Sequence, residues 1–269
     1  MPADSAVQAA TNEPILLRED KQGVVTLTLN RPAHYNALSE AMLADLQDAL
    51  DAIGADKSAR VVVIAGRGKA FCAGHDLKQM RSRPERDYYE ALFKQCARMM
   101  RTITLIPQPV IAKVHGLTTA AGCQLVAACD LAVAATEARF ATSGIGVGLF
   151  CMTPGVALSR NVSRKDAFEM LFTGDFVSAE EAKDKGLVNQ VVPPAALGAA
   201  VDALAERILA KSQAAIAAGK RMFYRQLEMG LDTAYAYAAE EMAQNMMFHD
   251  AGEGIDAFIE KRKPTWKHR

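Results

Sequence analysis

Apolar and polar positions alternate through residues 24–30, VVTLTLN, which predicts a strand that Arg31-Pro32 ends. The period then changes. Ser39 is placed to cap a helix that sets Leu43, Leu46, Leu50 and Ile53 on one face and stops near Gly54. Residues 60–65 predict a second strand, followed by the glycine-punctuated turn GRGKAFCAG at 66–74. Residues 76–90 are polar, carry Arg81, Arg83 and Arg86, and predict a mobile segment. Helical spacing returns over 92–106 until Pro107 and Pro109 close it.

The stretch around which the rest is organised is 109–130, PVIAKVHGLTTAAGCQLVAACD. It reads as a buried strand (110–114), a loop of small residues (116–122) and a buried helix ending near Asp130. Ala120, Ala121 and Gly122 leave the backbone accessible. Amides at such a helix start favour a nearby anion and can form an oxyanion hole. Small residues there also let a helix pack tightly on a sheet, and this stretch alone fits both readings.

Residues 131–135 predict a third buried strand. Further on, Pro154 suits the first position of a helix, Ser163 with Asp166 and Ser178 with Glu181 have capping-box spacing, and Gly174 and Gly186 mark helix stops. Residues 187–192 predict a last strand before Pro193-Pro194. Only helical patterns follow, at 197–211, 214–229, 232–248 and 252–261. Strand, turn, helix, strand in repetition predicts an α/β architecture. The composition shift divides it into a tail (1–14) expected to be disordered, a core (15–194), and a helical region (195–269) that packs on the core or mediates oligomerisation.

Composition narrows the function. Of 269 residues half are hydrophobic, and 31 Lys+Arg balance 31 Asp+Glu, so no net charge argues for nucleic acid or an anionic membrane. Cys72, Cys96, Cys123, Cys129 and Cys151 form no CxxC pair and fall mostly in apolar runs, which predicts buried thiols in a reducing compartment; residues 1–14 show neither a secretory apolar core nor the arginines of a transit peptide, so a cytosolic protein is expected. His34, His75, His115, His249 and His268 lack metal-ligand spacing, so no metal is expected. Gly66-Arg67-Gly68-Lys69 is not a P-loop, and Gly144, Gly146 and Gly148 do not complete a dinucleotide fingerprint.

What remains is a pair of glycine-containing turns after buried strands, FCAGHDL at 71–77 and AAGCQL at 120–125. With RPAHYNALS at 31–39 and FTGDFVSAEEAKDKGLVNQVV at 172–192, they resemble the enoyl-CoA hydratase/isomerase (crotonase) family, from about residue 24 to the AFIEKRKPTW tail at 257–266. The resemblance implies a spiral of ββα units with a C-terminal helical trimerisation region, and a homotrimer or dimer of trimers. It also implies an acyl-coenzyme A substrate, with coenzyme A present as part of the thioester and no permanently bound cofactor. The amides of Ala73 and Ala121 match the positions that hold the thioester oxygen as it becomes an enolate. Gly74, His75, Asp76 and Leu77 match the turn that lines the bound acyl-CoA. Phe258 and Lys261 match tail positions that reach coenzyme A from a neighbouring subunit, and His34, beside Arg31-Pro32, is expected near its phosphates.

The sequence departs from the family where hydratases carry two glutamates: these positions are Gln124 and Gly144. Glutamine orients a water but cannot take its proton, and glycine does neither. Hydration is therefore expected to be weak, because losing a positioned acid or base typically costs ~10²–10⁴ in rate. His75 could transfer protons, or serve as a structural or pantetheine contact. Cys151 would need a lowered pKa to act as a nucleophile and otherwise packs as a thiol. Thr142 and Ser143 could bind water or cap turns, Asp76 suits local amides, and Arg81, Arg83 and Arg86 could meet phosphates or solvent. An enolate-stabilising enzyme of another outcome, a slow hydratase and a non-catalytic acyl-CoA-binding protein all fit this pattern.

Overall fold

The computed structural model describes residues 13–269, so most of the expected disordered tail lies outside the described residues. Ten strands form two sheets among these residues. The larger contains β1 (Leu16–Lys21), β2 (Val24–Leu29), β3 (Val61–Gly66), β5 (Val110–Val114), β7 (Leu131–Ala135) and β10 (Gln190–Val192), in that order. The smaller contains β4 (Ala70–Cys72), β6 (Leu117–Thr119), β8 (Arg139–Ala141) and β9 (Val177–Ser178).

The two sheets grow together. β3 then β4, β5 then β6, and β7 then β8 each place a long strand in the large sheet and a short one in the small sheet before the chain turns into helix. Within each sheet these strands run parallel, β3·β5·β7 and β4·β6·β8. This is the expected crotonase-like spiral of ββα units.

Helix α1 (Glu40–Ala55) starts where Ser39 Oγ accepts the Met42 N–H, and it buries Met42, Leu43, Leu46, Leu50 and Ile53 completely. Burying each such side chain contributes about 1.5–3 kcal/mol. α2 (Leu77–Ser82) and α3 (Arg86–Leu105) occupy the polar stretch expected to be mobile; Asp76 caps α2, and Tyr88 and Leu92 of α3 are buried. That expectation failed because α3 is amphipathic, and its exposed face supplies the polar residues that dominate the local sequence.

α4 (Ala121–Ala128) is buried along its whole length. α5 (Met152–Leu158) begins two residues before Pro154, after Cys151. α6 (Arg164–Thr173) and α7 (Ala179–Asp184) start at the Ser163 and Ser178 caps, the latter a complete capping box.

Alternation along the central strands divides the core. Val62, Ile64, Ala112 and Ala134 face the main cluster, whereas Val61, Val63, Ile111, Val133 and Ala135 face Leu197, Val201 and Ala205 of α8 (Leu197–Leu209). α8 therefore covers the sheet. α9 (Gln213–Gln226), α10 (Leu231–Met246) and α11 (His249–Ile259) follow it. A buried ion cluster ties α9 to the core: Lys220 Nζ donates to Asp130 Oδ2 at 2.6 Å, and Tyr224 donates to Asp130 Oδ1 at 2.8 Å. No helix among the described residues is long and apolar enough to cross a membrane.

Candidate active site

β4, β6 and β8 end side by side, and the chain after each carries the candidate residues: 73–76, 120–124 and 142–144. The segment 31–39 shapes the first of these turns. Tyr35 and Asn36 take positive φ, +51° and +55°, and Asn36 is fully buried. Its Nδ2 donates to the carbonyls of Arg67 and Ala70, both at 2.8 Å, and its Oδ1 accepts the Arg31 N–H at 2.9 Å.

The Tyr35 carbonyl accepts the Ala73 N–H at 3.0 Å. That amide is committed within the chain, which corrects the expectation that Ala73 holds a ligand oxygen. Leu38 forms an isolated parallel bridge with His75: its N–H donates to the Gly74 carbonyl at 2.7 Å, and its carbonyl accepts the Asp76 N–H at 3.3 Å. The residue between two positions bonded in this way turns its own N–H to the other side. The His75 N–H has no hydrogen-bond partner among the described residues.

In the second turn, the Ala120 N–H donates to the Ala141 carbonyl at 2.9 Å, and the Ala120 carbonyl accepts the Gln124 N–H at 3.1 Å. Ala120 lies at φ +49°, ψ −117°, a conformation that costs a non-glycine residue about 1–3 kcal/mol. The Ala121 N–H opens α4 and is one of the amides a helix leaves unpaired. α4 rests directly on β4, since a Cβ at Gly122 would overlap the Cys72 carbonyl. A Cβ at Gly74 would lie 2.9 Å from Ala120 Cβ and 3.1 Å from Ala121 N, so the two turns abut.

Side chains around these amides are neutral. His75 stands edge-on to Phe93 of α3 with ring centroids 5.4 Å apart, and its Nε2 is buried without a partner. Burial pushes its pKa down to about 4. Gln124 is 5% exposed, and its Oε1 is also buried without a partner. Asp76 is engaged elsewhere: it accepts the Gln79 N–H and the Arg31 guanidinium, both at 3.2 Å. Burial opposes its charge, but these two donors hold the carboxyl below its usual range.

The chain matches the enoyl-CoA hydratase/isomerase family over residues 19–269. The chain belongs to that family. It is 45% identical to the Xenopus laevis mitochondrial enoyl-CoA hydratase domain-containing protein 3, over 95% of this chain and 87% of the relative. Its structure superposes with a TM-score of 0.93 on an enoyl-CoA hydratase of Mycobacterium smegmatis, at 62% identity over 94% of this chain and 99% of the other. Human enoyl-CoA hydratase domain-containing protein 3 gives a TM-score of 0.91 at 44% identity, over 94% and 100%.

The family resemblance directs attention to Gly144, in the third turn. A Cβ there would overlap the Leu149 carbonyl and lie 2.8 Å from Cys151 Sγ, so the returning chain fills the space a side chain would need. Thr142 is buried and donates to the Met170 carbonyl at 2.6 Å, a link to α6. Ser143 starts a short 3-10 turn. Cys151 is buried, and burial raises its pKa, so its thiol stays protonated and is not an activated nucleophile. Arg81, Arg83 and Arg86 are exposed, with Arg83 over the Tyr88 ring and Arg86 paired with Glu90.

His34 lies beside the first turn, close enough to act on the Asp76 carboxyl, and Leu77 is exposed at the start of α2. Phe258 and Lys261 are not gathered with these residues: Phe258 projects from α11, which packs on α9 and α10, and Lys261 follows that helix. Among the described residues no cluster of His, Cys, Asp and Glu could hold a metal ion.

One expectation is overturned by the relatives. The frog, mouse and human relatives are all named mitochondrial, against the cytosolic placement read from the cysteines and the N-terminal residues. All five thiols are free and buried, so they report packing rather than compartment.

Proposed function

We propose that this member of the enoyl-CoA hydratase/isomerase family binds an acyl-coenzyme A thioester and stabilises its enolate between the main-chain N–H groups of His75 and Ala121. The observation that carries the reading is that these two amides stand uncommitted on abutting turns, while the neighbouring Ala73 amide is taken by Tyr35. Two such donors act on the oxygen that gains charge as the enolate forms, and losing one typically costs about 10²–10³ in turnover.

Hydration is weak in this proposal. Gln124 and Gly144 occupy the positions where the family resemblance places glutamates, and His75, with its pKa near 4, is neutral at pH 7. Neither position offers a carboxylate to activate water, and the outcome of the enolate is isomerisation, hydrolysis or another lyase-type step. Crotonyl-CoA should show little or no loss of its conjugated enoyl absorbance. Rapid loss that disappears in Ala121→Trp refutes this.

Exchange of the α protons of bound acyl-CoA in heavy water is the second measurement. Exchange supports a working enolate site; tight binding without exchange identifies an acyl-CoA-binding protein that has lost the chemistry. Large apolar side chains exposed on α9–α11, among them Phe223, Tyr235, Met242 and Phe258, support a homotrimer or dimer of trimers. Phe258 and Lys261 would then meet coenzyme A in a neighbouring copy. Light scattering that returns a monomer at micromolar concentration removes this part.

A further inference from the structure

Away from the proposed oxyanion hole, a cavity of about 560 Å³ opens between α8, α9 and the large sheet. Its floor is apolar: Pro109 precedes β5, Leu131 starts β7, and Ile208 and Ile216 come from α8 and α9. These are the entry ends of β5 and β7, whereas the hole lies past the exit ends of β4 and β6. The volume suits one small ligand.

Charge at the rim has one sign. Arg207 and Lys211 are the charged residues that line the cavity; both are exposed, and neither has an ion pair or a side-chain hydrogen bond among the described residues. Arg60 adds a third cation beside them: it donates to the Lys211 carbonyl at 2.7 Å, and its Nε is buried without a partner. Burial lowers the pKa of Arg60, and no carboxylate stands near enough to oppose that. Asp202 and Glu206 of α8 are exposed and fall on the face opposite Ile208 by helical spacing. Basic side chains in a last turn also answer the helix's own carbonyls. Here the carbonyls of Ala210 and Lys211 are already engaged, the first by the Trp266 indole N–H at 2.9 Å and the second by Arg60.

We infer that this cavity binds a fatty-acid-like carboxylate, with its alkyl chain on Leu131, Ile208 and Ile216 and its head group at Arg207 and Lys211. Each methylene taken from water onto that floor favours binding. The head group meets charge-assisted donors that give up no counter-charge of the protein's own. The lining sets other ligands aside. A nucleotide finds no aromatic face to stack on and no side-chain acceptor for its amines. An uncharged alcohol leaves the cations unused, and a bare phosphate leaves the apolar floor wet.

The test is isothermal titration of the full-length protein with decanoate, 1-decanol and acetate. Decanoate should bind once per chain and about tenfold more tightly than decanol, with acetate not binding. The double variant Arg207→Gln, Lys211→Gln changes only exposed side chains; it should remove the tenfold advantage and leave decanol unaffected. Ile216→Trp, which fills the cavity, should abolish binding of both. The proposal is overturned by no binding of decanoate, by equal affinities for decanoate and decanol, or by decanoate binding that survives Ile216→Trp. A changed oligomeric state of Ile216→Trp in light scattering overturns it too, because the face would then be a contact between copies of this chain.

Discussion

The two ends of α4 treat buried polar groups in opposite ways. Just past its C-terminus, Asp130 receives the Lys220 ammonium, the Tyr224 hydroxyl and the Val110 N–H, and Lys220 also donates to the carbonyls of Ile103 and Gln108. Both Asp130 oxygens and all three Lys220 protons are used there. At the N-terminal end, the Ala121 and His75 amides, the His75 ring and the Gln124 oxygen are left open. Gln47 and Gln108 also leave an oxygen free, but their amide nitrogens anchor them. A saturated cluster does structural work at a fixed place; an unsaturated one at the ends of parallel strands is what a ligand completes.

That contrast can be broken at four points. The largest effect is expected at the saturated end: Asp130→Ala leaves a 7%-exposed lysine without its counter-charge and should cost about 3–5 kcal/mol in chemical denaturation. A loss under 1 kcal/mol would mean that the cluster does not anchor α9.

At the open end the test is pH. The folded-state pKa of His75 lies near 4, below its ordinary 6.5, because burial disfavours the charged ring. The unfolded chain therefore binds this proton first as pH falls. Its contribution is intact above about 6.5, is lost progressively towards pH 4, and amounts to about 3 kcal/mol. His75→Phe should flatten the stability curve in that window; an unchanged slope would place the ring in water.

Third, Gly144→Glu should cost about 1–3 kcal/mol through overpacking and should not by itself produce hydration of crotonyl-CoA. A stable variant that hydrates rapidly would show that this loop yields easily. The smallest effect is a gain: Ala120→Gly relieves the positive φ and should raise stability by about 1 kcal/mol in thermal melts. A loss there would show that the alanine methyl packs better than its backbone is strained.

Much of this fold was legible in the chain. The Ser39, Ser163 and Ser178 caps, the strand at 131–135 and the four C-terminal helices lie within a few residues of where spacing put them. The small sheet was not legible. β4, β6 and β8 have three residues each, too few to show a period, and their pairing is wholly long-range. The same limit misdirected the site. FCAGHDL announces a special turn, but which of its amides is free depends on Tyr35 and Leu38, some 37 residues away in sequence. Asn36 held a cue, an asparagine able to take positive φ beside a proline turn, although nothing local says that it fastens residues 67–70.

The lone bridge between Leu38 and His75 makes the donor's identity a question of parity. Along extended chain, successive peptide groups face alternate sides, so odd and even residues exchange places when the pairing slips by one. Deleting a single residue between Asn36 and Leu38 would turn the His75 amide inward and present its neighbours' amides to the proposed oxyanion hole instead. Chemistry attributed to one turn is thus indexed by the count of residues in another, and insertions at 36–38 should be as damaging as any change among the residues that touch substrate.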